Sequence, residues 1–227
     1  MTEMDWSAVG LSIRLAVLTT LILLVFAVPL AAWLAYSRRR WTVVVEAVVA
    51  LPLVLPPTVL GFYILVALGN RSPIGQWWTE LTGSPLAFTF TGLLIASVVY
   101  SLPFAVQPLI ASFVTVDRRL IEASTVLGRS WAATLVRVVI PLSRTGLTTA
   151  AVLTFAHTIG EFGVVLMVGG NISGETRTVA ISIYDSVQAF DYATAATTSL
   201  WLLGFSVVIL AVTYGLNRKG RPTWPRA

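Results

Sequence analysis

One carboxylate, Glu161, and the single histidine, His157, stand inside a long apolar stretch that runs from Thr145 to Gly174. Four residues apart, they share one face of a helix. A charge inside a bilayer costs about 2.5–3.5 kcal/mol on insertion scales, so such side chains are expected to face protein or water, and they are functional candidates by default. A carboxylate repels anions, however. The expectation for Glu161 is therefore that it orders helix packing near a gate, through hydrogen bonds to other spans. Pro52, Pro56 and Pro57 interrupt a second apolar stretch. Each removes a helical hydrogen bond, and lipid tolerates such breaks only where neighbours or a cavity satisfy the freed carbonyls. Pro56 and Pro57 are thus candidates for lining a pathway or acting as a hinge, against the plainer reading of a static packing kink. Arg71 and Arg177 read as solvated loop arginines, or as cations that draw an anion to an entrance. Arg14, at the end of the first apolar run, is expected to snorkel.

Other chemistry is missing. Gly215 and Gly220 have the spacing of a phosphate-binding loop, but Arg221-Pro222 follow instead of Lys and Ser or Thr. The sequence holds no metal-ligand cluster and no evident nucleophile–base pair. The absence of cysteine removes disulfides and thiolate metal sites.

The elements that would position these residues are membrane spans. Hydrophobic residues make up 56% of the 227 and charged ones 11%, against about 25% charged in soluble domains. A span needs roughly 20 apolar residues, and the sequence offers five, near 13–36, 44–69, 90–113, 146–169 and 194–216. The fold expected is therefore all-α and integral to the membrane. Residues 1–12 form a short N-terminus, 81–89 a loop, and 217–227 a tail. Twelve of the fifteen basic residues follow the first, third and fifth spans. By the positive-inside rule these segments and the C-terminus are cytoplasmic, and the N-terminus is outside. The basic sequence pI, about 10.1, is explained by that placement, so no nucleic-acid partner is inferred. An acidic start and an over-long apolar run argue against a cleavable signal peptide. Five spans do not divide into two equal inverted halves, so a homodimer or heterodimer with a path at its interface is expected.

Between the third and fourth spans, residues 117–144 read as two short helices. Asp117 is a candidate N-cap, Gly128 a stop, Ser130 a second start, and Pro141 the expected end. The outer segment from Gly170 to Asp191 looks partly amphipathic and is expected to pack on the outer membrane face.

Within 117–144, Glu122-Ala123-Ser124, then Gly128, then Val138-Val139-Ile140-Pro141 resembles the Glu-Ala-Ala loop of importer-type ABC permeases, with Ser124 in place of the second Ala. Leu51 to Gly61, Gly160-Glu161-Phe162-Gly163 and Gly174-Glu175-Thr176-Arg177-Thr178 extend the resemblance over nearly the whole chain, to the molybdate ABC permease subunits. Sulfate and thiosulfate permeases are the near relatives, and tungstate is a further alternative. The resemblance implies a type I importer fold in a prokaryotic cytoplasmic membrane. Its coupling residues would be Glu122, Ala123, Ser124, Gly128 and Pro141. It further implies a second permease copy, two cytoplasmic ATPase subunits that bind ATP and Mg, and an extracytoplasmic molybdate-binding protein, with no cofactor and no ATPase site on this chain. A secondary transporter and a membrane-embedded enzyme are the readings from other classes.

Overall fold

The computed structural model describes residues 4–218, which are helical between turns, with no strand among them. Helix α1 runs from Trp6 to Tyr36, and the Asp5 carboxylate caps it by accepting from the Ala8 N–H at 3.0 Å. That cap starts the helix seven residues before the expected 13, so residues 6–12 are helical rather than a loose terminus.

The second span is corrected. It is two helices, α2 (Thr42–Val54) and α3 (Pro57–Leu68), whose axes differ by 113°. Pro56 excludes helix from the residue before it, and Leu55 is extended with ψ 139°, while Pro57 suits the first position of α3. Helix α4 (Pro73–Thr82) takes up residues 81 and 82 of the expected loop. Its signals were present in the sequence: Ser72 accepts from the Gly75 N–H, Pro73 follows, and Gly83 ends it at φ 73°.

Helix α5 spans Phe90–Phe113, the bounds expected, with the Thr89 hydroxyl accepting from Gly92 at its start. Helix α6 is Arg118–Val126, α7 is Trp131–Thr134, a π turn covers Leu135–Val139, and α8 is Ile140–Leu142. Pro141 does not end this run, contrary to expectation. The widened π turn precedes the proline and relieves the clash its ring makes with an α-helical backbone, and the break comes at Ser143, where the chain bends by 82°.

Helix α9 (Arg144–Gly160) then stops at Glu161, extended at ψ 135°, and α10 (Gly163–Gly169) completes the fourth apolar stretch. That span too is broken where one continuous helix was expected. Helices α11 (Val179–Gln188) and α12 (Tyr192–Arg218) follow.

Helices α1, α5 and α9 pack against one another, and α10 lies on α3 and α5. Without a hydrophobic drive between helices in lipid, close approach depends on small residues. Ala27, Ala31, Ala105 and Ala150 supply it, each fully buried. The Tyr36 hydroxyl donates to the Phe113 carbonyl at 2.7 Å, which brings the C-terminal ends of α1 and α5 together. The arginine clusters Arg38–Arg40 and Arg118–Arg119 directly follow those two ends.

Candidate functional site

The two broken spans meet at their breaks. A Cβ added to Gly163, at the start of α10, would lie 2.6 Å from the Pro57 Cβ at the start of α3. One turn on, a Cβ at Gly61 would lie 2.9 Å from that of Met167, so α3 and α10 run in close contact from this point. Beside the junction is a cavity of about 450 Å³, lined by Pro57, Thr58, Tyr100, His157, Gly160, Glu161, Phe162 and Gly163. Tyr100 stands near the middle of the 24-residue α5 and the rim residues Pro57, Thr58 and Gly160 are exposed, so the cavity lies at mid-span and opens on one side of the bundle.

Three of the five pathway candidates read from the sequence, Pro57, His157 and Glu161, come together here, and Pro56 immediately precedes them. The shared face of His157 and Glu161 arises differently from the expected helical spacing, since the helix ends between them. Glu161 is 5% exposed, and one carboxylate oxygen, Oε1, accepts from the Val165 N–H at 3.1 Å. It thus caps the first turn of α10, a task Phe162 has no side-chain acceptor to perform. This bond lies within its own span, and the buried Ser97 hydroxyl of α5 stands beside the carboxylate as the contact to another span that was expected. Oε2 and the Ser97 hydroxyl of α5 are both sealed from solvent. The His157 ring stacks on Phe104 at 3.8 Å between centroids, and its Nδ1 is 3.0 Å from the Ser101 hydroxyl. Thr58, Tyr100 and Ser101 escaped the sequence reading. The weak signal available for the last was a pair of serines, Ser97 and Ser101, one turn apart in an apolar run.

Arg177 is elsewhere. Its Nε donates to Asn171 Oδ1 at 2.6 Å, and it pairs with Asp185 at 3.7 Å and Asp5 at 4.0 Å. It is therefore a tie between the segment before α11 and the start of α1, not a solvated loop arginine. The Val179 N–H donates to the Ser12 hydroxyl at 2.8 Å in the same joint. Arg14 lies over the Phe90 ring at 4.4 Å. Arg71 lines a separate, mostly apolar cavity of about 800 Å³ with Phe88 and Glu175.

At the arginine-rich end, Asp117 caps α6 by accepting from Arg119, and Gly128 turns the chain at φ 74°, which a glycine adopts without strain. Glu122 and Ala123 are exposed, and Val126 and Leu127 stand out at 87% and 79% exposure. Ser124, in contrast, faces inward: its hydroxyl is 2.9 Å from that of Thr134 on α7, and both are buried. Among the described residues no three His, Asp or Glu converge as a metal site.

A bundle of long apolar helices, two of its spans broken at one cavity and a short exposed helix at one end, is the architecture of a multi-pass membrane protein. The chain belongs to the family of inner membrane components of binding-protein-dependent transport systems, whose model matches residues 27–219. The molybdenum transport system permease protein ModB of Azotobacter vinelandii is 52% identical over 219 residues, 96% of each chain. The protein of the same name from Escherichia coli K12 is 34% identical over 83% of this chain and 82% of that one. Among solved structures, a bacterial alginate ABC importer superposes with a TM-score of 0.76 at 14% identity, over 95% of this chain and 79% of that one. The inward-facing methionine transporter MetNI gives 0.74 at 16%, over 96% and 97%. At those identities the likeness concerns the fold alone.

Proposed function

We propose that the chain is the permease of an ATP-driven molybdate importer and moves the anion by alternating access. The exposed helix α6 carries this reading: a capped knob with Glu122 and Ala123 at its surface and Val126 and Leu127 projecting, set between the third and fourth spans. An apolar knob of this kind is costly in water and is suited to a partner's groove. Closure of two ATPase subunits on ATP and Mg pulls α6, and the bend at Ser143 passes the movement into α9. The chain makes and breaks no covalent bond. Its two conformations are biased by differential contacts with its partners. Those partners are a second copy of the permease, the ATPase pair and an extracytoplasmic molybdate-binding protein; no nucleic acid is involved. The N-terminus lies outside and the C-terminus in the cytoplasm, so the arginine-rich ends of α1 and α5 face the ATPase. Spans one, three and five are α1, α5 and α12, with α2–α3 and α9–α10 completing the set, 117–144 as the coupling segment and residues beyond 216 as a cytoplasmic tail.

The substrate reading is supported by molybdenum transport permeases such as that of Azotobacter vinelandii, 52% identical over 219 residues. Sulfate, thiosulfate and tungstate are the competing anions. Proteoliposomes holding the assembled complex, supplied with ATP and binding protein, test the reading through uptake of labelled molybdate against labelled sulfate. Preferential molybdate uptake is expected. Uptake of sulfate alone overturns the substrate, and uptake without the ATPase overturns the mechanism.

A further inference from the structure

The cavity beside Arg71 stands apart from the breaks and takes no part in the transport reading. At about 800 Å³ it has the size of a small-ligand site. Leu65 and Val66 from the last turn of α3, Phe88 ahead of α5, and Ile172 give it an apolar wall, and Arg71 and Glu175 are its charged residues. The wall is held in place by its own backbone. Phe88 sits in the left-handed region at φ 61°, and its N–H donates to the Val168 carbonyl at 2.9 Å. A bulky residue is costly there, and such residues cluster at ligand clamps. Across the cavity, the Thr176 hydroxyl donates to the Gly169 carbonyl at 2.7 Å and accepts from the Ile172 N–H at 3.1 Å. Val66, Phe88 and Ile172 are nevertheless exposed. Arg71 and Glu175 are exposed too, and neither is in an ion pair among the described residues, where the pairs found belong to Arg177.

With the N-terminus outside, the end of α3 and the start of α5 lie at the outer face, where hydrocarbon gives way to headgroups. An apolar wall carrying one free cation and one free anion at that level matches an acyl chain, a phosphate and an ammonium. An anionic phospholipid would leave Glu175 against a like charge, and a free anion would leave the apolar wall uncovered. We propose that this cavity binds a zwitterionic phospholipid of the outer leaflet. Its acyl chain lies on Val66, Phe88 and Ile172, its phosphate accepts from Arg71, and its ammonium donates to Glu175. The bound lipid ties the outer end of α3 to the segment that follows α10. The inference rests on the topology given to the spans and not on the anion transported.

Short-chain dioctanoyl phosphatidylethanolamine and dioctanoyl phosphatidylglycerol are the probes. Each is titrated against the full chain in mild detergent, alone and in the assembled complex, and bound lipid is counted by native mass spectrometry. The unaltered chain should hold the ethanolamine lipid about fivefold more tightly, the worth of one well-placed exposed ion pair. Glu175→Gln should abolish that preference by weakening the ethanolamine lipid alone, and Arg71→Gln should weaken both. Ile172→Asp puts a charge on the apolar wall and should weaken both at least roughly tenfold. Should Ile172→Asp fail to fold, Glu175→Gln still decides, because it changes one atom of an exposed side chain. Equal binding of the two lipids by the unaltered chain overturns the site, as does a preference that survives Glu175→Gln. Lipid held by the lone chain but not by the complex overturns it too, since a protein partner then covers the cavity. Binding is read without ATP or oxyanion, so its failure is separate from failure of the uptake assay.

Discussion

Ser124 is where the sequence departs from the Glu-Ala-Ala pattern, and the structure gives the departure a specific consequence. Its hydroxyl meets Thr134 at 2.9 Å, with Ser124 8% and Thr134 2% exposed. Ser124→Ala restores the pattern but strands the Thr134 hydroxyl in a buried place, at a cost of about 1–3 kcal/mol. Replacing both partners, Ser124→Ala with Thr134→Val, removes the stranded group, and the pair should then cost well under 1 kcal/mol. The assay is amide hydrogen exchange across residues 118–134 of the purified complex, which reads local opening. Ser124→Ala should speed exchange there by roughly 5- to 150-fold, and the double variant should return close to the unaltered rate. Unchanged exchange in Ser124→Ala refutes the reasoning. So does a double variant that opens as readily as the single one, because the loss would then not lie in the hydroxyl pair.

Three further outcomes follow from the same geometry. Gly163→Ala pushes a methyl to 2.6 Å from the Pro57 Cβ and should destabilise by about 1–3 kcal/mol. Gly10→Ala, with nothing within 4 Å, is the control, and equal thermal midpoints for the two in detergent contradict the close approach of the breaks. Glu161→Gln keeps a carbonyl to accept from Val165, whereas Glu161→Leu loses the cap and about 0.5–2 kcal/mol; a Leu variant as stable as the Gln variant excludes the capping role. Asp5 is desolvated, which raises its pKa, but bonds from Ser7 and Ala8 and the charge of Arg177 outweigh this and hold it below the ordinary 3.8. With the folded value below the unfolded one, its contribution is full above the ordinary value and is lost as pH falls through the depressed one. Exchange at the Val179 amide should therefore stay slow at mildly acidic pH and rise only in stronger acid, and Asp5→Asn should abolish that acid step.

Hydropathy located α1, α5 and α12 because each is a long apolar run, and α5 has the bounds expected once 81–89 is set aside from its longer run. The caps at Asp117, Gly128 and Ser130 were legible because their chemistry is local. The breaks were harder. Pro56-Pro57 signals an interruption, but a kink and a 113° turn have the same sequence, and packing of α3 on α10 decides between them. Nothing local marks Glu161 as the end of α9. The meeting of Gly163 with Pro57 joins residues more than a hundred positions apart, and the pairing of Arg177 with Asp5 is of the same long-range kind. Ser124 read as a small residue exchanged for another, since only the fold brings Thr134 beside it.

The central claim is that this chain couples an ATPase to a molybdate-loaded binding protein. Its most direct test is ATP hydrolysis by the chain co-reconstituted with its ATPase, with binding protein added empty, sulfate-loaded or molybdate-loaded. The account predicts stimulation by the molybdate-loaded form above the other two. An ATPase that neither binds the chain nor responds to any loaded form contradicts it, and with it the role assigned to α6.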